Sequence, residues 1–247
     1  MSAGGVPEFP GAVGISGLDV YPWPTADGLH GGSPHVHTCC AEGYVVVAGT
    51  GELHTLSSAG FRRTPLAAGD VVWFTPGTIH RAVQQDGLRV VVLMQNSGLP
   101  EAGDAVLTFP PEHLVDRDAY ERAASLLGPD GQPSAERARA RRDLAVAGFG
   151  ELVRRTQAGD TGALAQFHAA AAALVAPRLP EFRRRWEAGA AAAARTTGEH
   201  LDALARGEAG HLAAGAVHQL GAPERTLGMC GFLTAYDRVR PQAAPIG

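Results

Sequence analysis

The residues with the clearest chemical potential are His35, His37, Glu42 and His80. In His35-Val36-His37 the imidazoles stand two residues apart. Alternate residues of an extended strand face the same way, so both rings can meet one ion about 2.1 Å from each. Val36 then faces away. Glu42 can return a carboxylate to the same centre after a short connection, and His80 can add a third imidazole from a neighbouring strand. Three neutral imidazoles and one carboxylate suit one divalent transition metal ion, with Fe(II) the favoured choice and Mn(II), Ni(II), Cu(II) or Zn(II) also compatible. On a six-coordinate ion they leave two positions for water, substrate or O2, and open positions separate a reactive centre from a closed structural one.

Such a centre needs strands to hold it, and the first part of the chain supplies them. Short β-branched or alternating runs occur at Val13–Tyr21, Gly43–Ala48, Glu52–Leu56, Val71–Thr75, His80–Gln84, Leu88–Gln95 and Ala105–Phe109, separated by turn residues such as Gly49-Thr50-Gly51 and Asp86-Gly87. Strands this closely spaced predict a sandwich or barrel. If Asp86-Gly87 closes a two-residue hairpin, Gln84 pairs with Arg89 and His80 with Leu93, which puts Gln84, Arg89 and Val91 on the face of the metal ligands. Alternation from Glu42 places Tyr44 and Val46 inside. Tyr44, Gln84 and Arg89 are therefore the candidate catalytic residues, suited to a substrate with a carboxylate, enolate or phenolate, because Arg presents a fixed fork of donors to paired oxygens. Tyr21 and Trp23 precede the first histidines and can serve as aromatic walls or as ordinary packing.

Composition changes near residue 110. Residues 1–109 hold four Arg against nine acids, whereas residues 110–247 hold seventeen Arg against sixteen acids in long Ala-rich stretches. The second part reads as helices at Asp118–Leu127, Ser134–Ala158, Thr161–Ala176, Pro180–Arg206, Glu208–Leu220 and Pro223–Val239, most of them stopped by Gly or Pro. Residues 1–12 read as a tail, 13–109 as the metal-binding β-domain and 110–247 as an all-helical domain, an α+β organisation. His211 and His218 share a helix face, but no second metal centre is expected there.

The same composition excludes several kinds of function. All 21 basic side chains are Arg, which removes Schiff-base catalysis, a pyridoxal-phosphate anchor and a Walker-type phosphate loop, each of which needs an ε-amine. A net charge of −4 argues against a nucleic-acid partner. No G-x-S-x-G or H-E-x-x-H motif is present. Cys39, Cys40 and Cys230 give no disulfide framework, and Cys39 and Cys40 are read as buried, inert thiols. The longest apolar run is too short to cross a bilayer and no leader is recognisable, so a cytoplasmic protein is expected.

Gly28 to His80 resembles the two cupin motifs. The first, G-x5-H-x-H-x3,4-E-x6-G, is matched by His35, His37, Glu42 and Gly49, with Gly28 one residue too far upstream. The second, G-x5-P-x-G-x2-H-x3-N, is matched by Gly69, Gly77 and His80, with Thr75 in place of Pro and Gln84 in place of Asn. The resemblance covers roughly residues 13–109. It implies an antiparallel β-barrel of jelly-roll type whose metal ligands are His35, His37, Glu42 and His80, and it leaves the reaction open. A mononuclear Fe(II) dioxygenase acting on a small oxygen-bearing metabolite is the first expectation. A non-redox lyase, isomerase or decarboxylase and a non-catalytic small-molecule binder or sensor are the alternatives, with the helical part transmitting occupancy or building a homodimer.

Overall fold

The computed structural model describes residues 9–221 and 223–236. The strands are β1 (Gly14–Val20), β2 (His30–Gly31), β3 (His35–His37), β4 (Glu42–Ser57), β5 (Gly60–Ala67), β6 (Val71–Phe74), β7 (Ile79–Met94), β8 (Ala105–Leu107), β9 (Thr226–Leu227) and β10 (Gly231–Ala235). Five α-helices stand between β8 and β9: α1 (Arg117–Ala124), α2 (Ala135–Gln157), α3 (Gly162–Val175), α4 (Leu179–Ala188) and α5 (Ala190–Ala205). All the strand pairing is antiparallel, in one jelly-roll-like sheet ordered β5-β4-β7-β1-β10-β9, with β2 and β3 on β7, β6 on β4 and β8 on β3. The sheet does not close, which corrects the expected barrel to a curled open sheet.

Two long strands form its spine. The runs expected as separate strands on either side of Gly49-Thr50-Gly51 are one strand, β4, and those flanking Asp86-Gly87 are one strand, β7. The two pair from Glu42↔Met94 to Leu56↔Ile79. The turn-like residues are bulges. Register shifts fall between Val46 and Ala48 and between Thr50 and Gly51, where β7 carries Gln85 and Asp86 as extra residues. Gly49 has φ 72°, and a Cβ there would lie 2.2 Å from Asp86 O, so only glycine fits this crossing. Dense glycine and acid therefore marks a kink in a long ladder here, not a chain reversal.

The C-terminal part is also corrected. Residues 110–247 are not all-helical: after α5 and a 3₁₀ turn at Gly210–Ala214, the chain returns to the sheet, and β10 pairs with β1 from Ser16↔Ala235 to Val20↔Gly231. The expected helix Glu208–Leu220 is reduced to that turn, and the helix at Pro223–Val239 is replaced by the β9–β10 hairpin, with residues 237–239 outside the described residues. Thr226, Phe232, Leu233 and Thr234 suit a strand, and β1 would otherwise expose an unpaired edge. The expected helix Pro180–Arg206 breaks at Gly189, whose φ and ψ of −96° and −100° are not helical. Of the tail, residues 1–8 lie outside the described residues, while Pro10–Ala12 form a 3₁₀ turn with Ala12 buried.

Two interiors result. Leu18, Val20, Tyr44, Val46, Leu88, Val90 and Val92 fill the concave side of the sheet. On the convex side near β3 and β8, Val36, Leu56, Val106, Leu107 and Phe109 pack against Ala145, Phe149, Leu152, Phe167, Leu174 and Phe182 of the helices. α2 is anchored at Ser134, whose hydroxyl accepts from Arg137 N at 3.1 Å. It approaches the chain after β8 so closely that a Cβ on Gly148 would lie 2.0 Å from Thr108 O.

Candidate metal centre

β3 sends His35 and His37 to the concave side and Val36 to the helical side, as its two-residue period requires. β3 pairs with β7 at His35↔His80, which brings the third imidazole alongside. The turn before β7 is fastened by Gly77 N, which donates to His37 O at 2.9 Å. Glu42 opens β4 and is buried with the three histidines. One ligand atom from each of His35, His37, Glu42 and His80 lies within 4.8 Å of the others. Ligands about 2.1 Å from a common ion sit roughly 3 Å apart when adjacent, and Glu42 Oε2 is 3.0 Å from both His37 Nε2 and His80 Nε2. Among the described residues no other group of three or more such side chains converges in this way.

The second ring nitrogens show which atoms face the ion. His35 Nδ1 is 3.0 Å from Ser33 O, His80 Nδ1 is 3.2 Å from Thr78 O, and His37 Nδ1 is 3.0 Å from Asp104 Oδ2. Carbonyl and carboxylate oxygens only accept, so each Nδ1 carries the hydrogen and each Nε2 keeps a lone pair for the centre. Inside the cluster, Glu42 Oε2 and His80 Nε2 are buried without a satisfied hydrogen bond despite their proximity. Buried polar atoms of this kind require a partner, and one divalent cation fits the donor set.

Electrostatics point the same way. Burial pushes the Glu42 carboxyl up, but His80 and His37 outweigh it and hold Glu42 well below the usual carboxylate range. Burial pushes His37 down, yet Asp104 and Glu42 raise it to about 9. His35 is held well below its ordinary value by burial and by the neighbouring imidazoles. The cluster thus concentrates negative charge around a proton that a dication would displace on binding.

A cavity of about 530 Å³ opens beside the cluster, bordered by His35, His37, Glu42, Tyr44, Val92, Met94, Arg141 and Cys230 among others. That volume suits a small metabolite. Tyr44 is fully buried there, and its hydroxyl has no hydrogen-bond partner. Burial, with Glu42 and Cys230 nearby, pushes its pKa well above 10 and keeps it a neutral donor.

The other two candidate pocket residues lie elsewhere. Arg89 is exposed on the convex side, opposite Ala48 and Asp19, while its neighbours Leu88 and Val90 point inward. β7 runs straight through where a hairpin was expected, so Arg89, an odd number of residues from His80, faces away from the cluster. Gln84 pairs with His30 and Gly51 and stands outside the cavity lining. Tyr21 and Trp23 stack at 4.0 Å and pack edge-on to Phe232. Cys39 is exposed and Cys40 buried, and all three cysteines are free, so the reading of two buried thiols holds for Cys40 alone.

Asp104 is the residue that sequence reasoning missed. It is wholly buried at the end of a π-turn (Pro100–Asp104), accepting from Thr38 N at 2.9 Å, Thr38 Oγ1 at 2.6 Å and Cys39 N at 2.6 Å besides orienting His37. No motif spacing links positions 67 residues apart. The only signal is an acid directly before Ala105, which pairs with His37.

An antiparallel, jelly-roll-like sheet with three imidazoles and a carboxylate on one side is the arrangement that the resemblance to the cupin motifs implies, with a site suited to a divalent metal ion. No family model matches the chain, and no curated protein matches it. Similar solved structures include an uncharacterized conserved protein with a double-stranded beta-helix domain from Klebsiella pneumoniae, at 21% identity over 33% of this chain and 64% of that one, with a TM-score of 0.26. KdgF from Halomonas sp. is 20% identical over 36% of this chain and 71% of its own, with a TM-score of 0.26. The WlaRB TDP-quinovose 3,4-ketoisomerase from Campylobacter jejuni is 12% identical over 36% of this chain and 65% of its own, with a TM-score of 0.28. The chain thus spans a little under two thirds of the Klebsiella and Campylobacter proteins. No helix among the described residues is long and apolar enough to cross a membrane.

Proposed function

We propose that this protein is a metal-dependent enzyme acting on a small oxygen-bearing metabolite, with mononuclear Fe(II) dioxygenation as its first reading. The observation that carries the proposal is the convergence of three Nδ1-anchored imidazoles and Glu42 beside a cavity of about 530 Å³. His35, His37, Glu42 and His80 would hold the ion, and Asp104 would fix the tautomer and orientation of His37. Such an ion supplies Lewis acidity toward a bound oxygen and, when ferrous, electrons toward O2. Val92 and Met94 give the cavity apolar wall, which excludes water from a bound substrate. The neutral Tyr44 hydroxyl can donate a hydrogen bond to a substrate oxygen or hold a proton there.

Tyr44 also gives a specific reason for the second reading, a non-redox isomerase, lyase or decarboxylase, because a buried hydroxyl without a hydrogen-bond partner borders the same cavity as the cluster and can donate to a substrate oxygen. Protein purified without chelator should contain about one equivalent of a transition metal by elemental analysis. Oxygen-electrode screening of small acids and phenols with Fe(II) should then give stoichiometric O2 uptake. Turnover under anaerobic conditions with Ni(II) or Zn(II) would replace the first reading by the second. Saturable binding with no product under any metal or gas would replace both by a binder.

A further inference from the structure

The cavity has one cationic wall, and it comes from the helical part of the chain. α2 turns a stripe of Ala138, Arg141, Arg142, Ala145, Phe149 and Leu152 inward, so two arginines occupy positions where apolar residues would be expected. They are treated differently. Arg142 is consumed structurally: its Nη1 donates to Trp23 O at 3.1 Å, and its Nη2 donates to Pro24 O at 2.8 Å and pairs with Asp143.

Arg141 is 7% exposed and borders the cavity that holds the four-residue cluster. Its Nη2 donates to Gly228 O at 2.7 Å, the carbonyl that also accepts from Tyr21 Oη at 3.0 Å. Its Nε is buried with no hydrogen-bond partner among the described residues. The groups acting on its charge are the Tyr21 and Tyr120 hydroxyls and Cys230, with no carboxylate among them. Glu101 also borders the cavity and is engaged in an interaction of its own.

A guanidinium this deeply buried is normally held by a carboxylate or phosphate, because leaving water without a counter-charge is costly. Here the carbonyl of Gly228 fixes the side chain but brings no negative charge. Tyr44 Oη, bordering the same cavity, is a second buried donor without a partner. Two donors in want of acceptors describe a ligand rich in oxygen, and the cationic one selects an anion. We propose that Arg141 is a specificity-determining residue that receives the carboxylate of an acidic substrate, whose other oxygen-bearing end faces the metal cluster. This deepens the function proposed above and rests on it only for the placement of that other end.

The test compares acids with their uncharged isosteres on Zn(II)-loaded protein: acetate with acetamide, benzoate with benzamide, and 4-hydroxybenzoate with 4-hydroxybenzamide, by calorimetry. In the wild-type protein, acids that fit should bind about tenfold to a hundredfold more tightly than their amides, as a charge-assisted contact implies. R141Q should bring that ratio close to one while leaving amide affinity and zinc content unchanged. R141K, which keeps the charge and loses the planar fork, should fall between. A ratio near one in the wild-type protein, including failure of every acid to bind at millimolar concentration, would overturn the proposal. So would an unchanged ratio in R141Q, or in R141K if R141Q does not fold by circular dichroism. A purely structural Arg141 would lower the melting temperature of the variants without moving the ratio, which also counts against the proposal. Metal analysis is read separately, so an acid preference that depends on Arg141 in protein unable to retain zinc supports this assignment while rejecting the metal centre.

Discussion

His35, Val36 and His37 belong to one short strand yet serve two interiors. On the helical side, Val36 joins a core of Leu, Val and Phe side chains, and the one hydroxyl at its heart is satisfied: Thr108 Oγ1 lies 2.8 Å from Ala145 O and 3.1 Å from Pro34 O. On the concave side, Glu42 Oε2, His80 Nε2 and Tyr44 Oη are buried with no such satisfaction. The first interior is organised to exclude water and couple helices to sheet. The second keeps polar capacity that only a ligand can use. A strand with a two-residue period can divide the two tasks because neighbouring side chains never share a face.

If that division is physical, the two interiors should fail independently. The largest effect is expected at the cluster: His37→Ala or His80→Ala should lower bound metal from about one equivalent to near zero, while circular dichroism and the melting temperature in chelator stay close to wild type. Full metal occupancy in either variant would remove the comparison's basis. On the other side, Phe149→Ala should cost about 3–5 kcal/mol in denaturant unfolding, because the ring is buried between α2 and the sheet. The metal content of the folded fraction should be unchanged, and parallel loss of metal would show that the interiors are coupled.

Asp104→Asn probes the boundary between them. The carboxylate takes a hydrogen bond from His37 Nδ1 and three more from Thr38 and Cys39. An amide of the same shape loses the charge and part of the accepting capacity. Metal affinity should drop about 10–100-fold, read by competition with a chromophoric chelator, with all four ligands still present. An affinity within twofold of wild type would mean that His37 is oriented by β3 alone.

The cluster was legible in the sequence because strand geometry converts residue spacing directly into direction: His35 and His37 differ by two, and no register choice can separate them. Pocket residues farther along the ladder were not legible to the same degree. Arg89 depends on whether the chain reverses at Asp86-Gly87: in the single strand β7 it lies nine residues from His80, an odd number, and so faces the other way. Gly49 and Gly87 have the composition of turns, and the sequence alone does not reveal that they meet each other across two paired strands. Tyr44 survives because only one residue separates it from Glu42. The β9–β10 hairpin was hidden for a different reason: Phe232, Leu233 and Thr234 gain their pairing from β1, more than 200 residues earlier, and local pattern cannot report so distant a partner. Asp104 and Arg141 share that difficulty, although Arg141 gave a local hint by lying on the inward stripe of α2.

The smallest expected effect concerns the loop leading into β2, which is fastened to β7 by charge. Asp27 pairs with the buried Arg81, whose Nη2 also donates to Thr25 Oγ1 at 2.9 Å. Burial pushes the Asp27 carboxyl up, but hydrogen bonds from Arg81 and Thr25 and the guanidinium charge outweigh it and bring the pKa from 3.8 to about 2. The folded state therefore holds this proton less tightly than the unfolded chain. Its contribution to stability is fully present above pH 4 and is lost as the pH falls toward 2. Because Asp27 is about one third exposed, solvent screening limits that contribution to under about 1 kcal/mol. Urea unfolding of wild type and Asp27→Asn at pH 7 and pH 3 should show the difference between them shrinking at the lower pH. A difference that is constant over this range would mean that the loop is held by shape and by the neutral hydrogen bonds of Thr25, with the Arg81 ion pair contributing nothing.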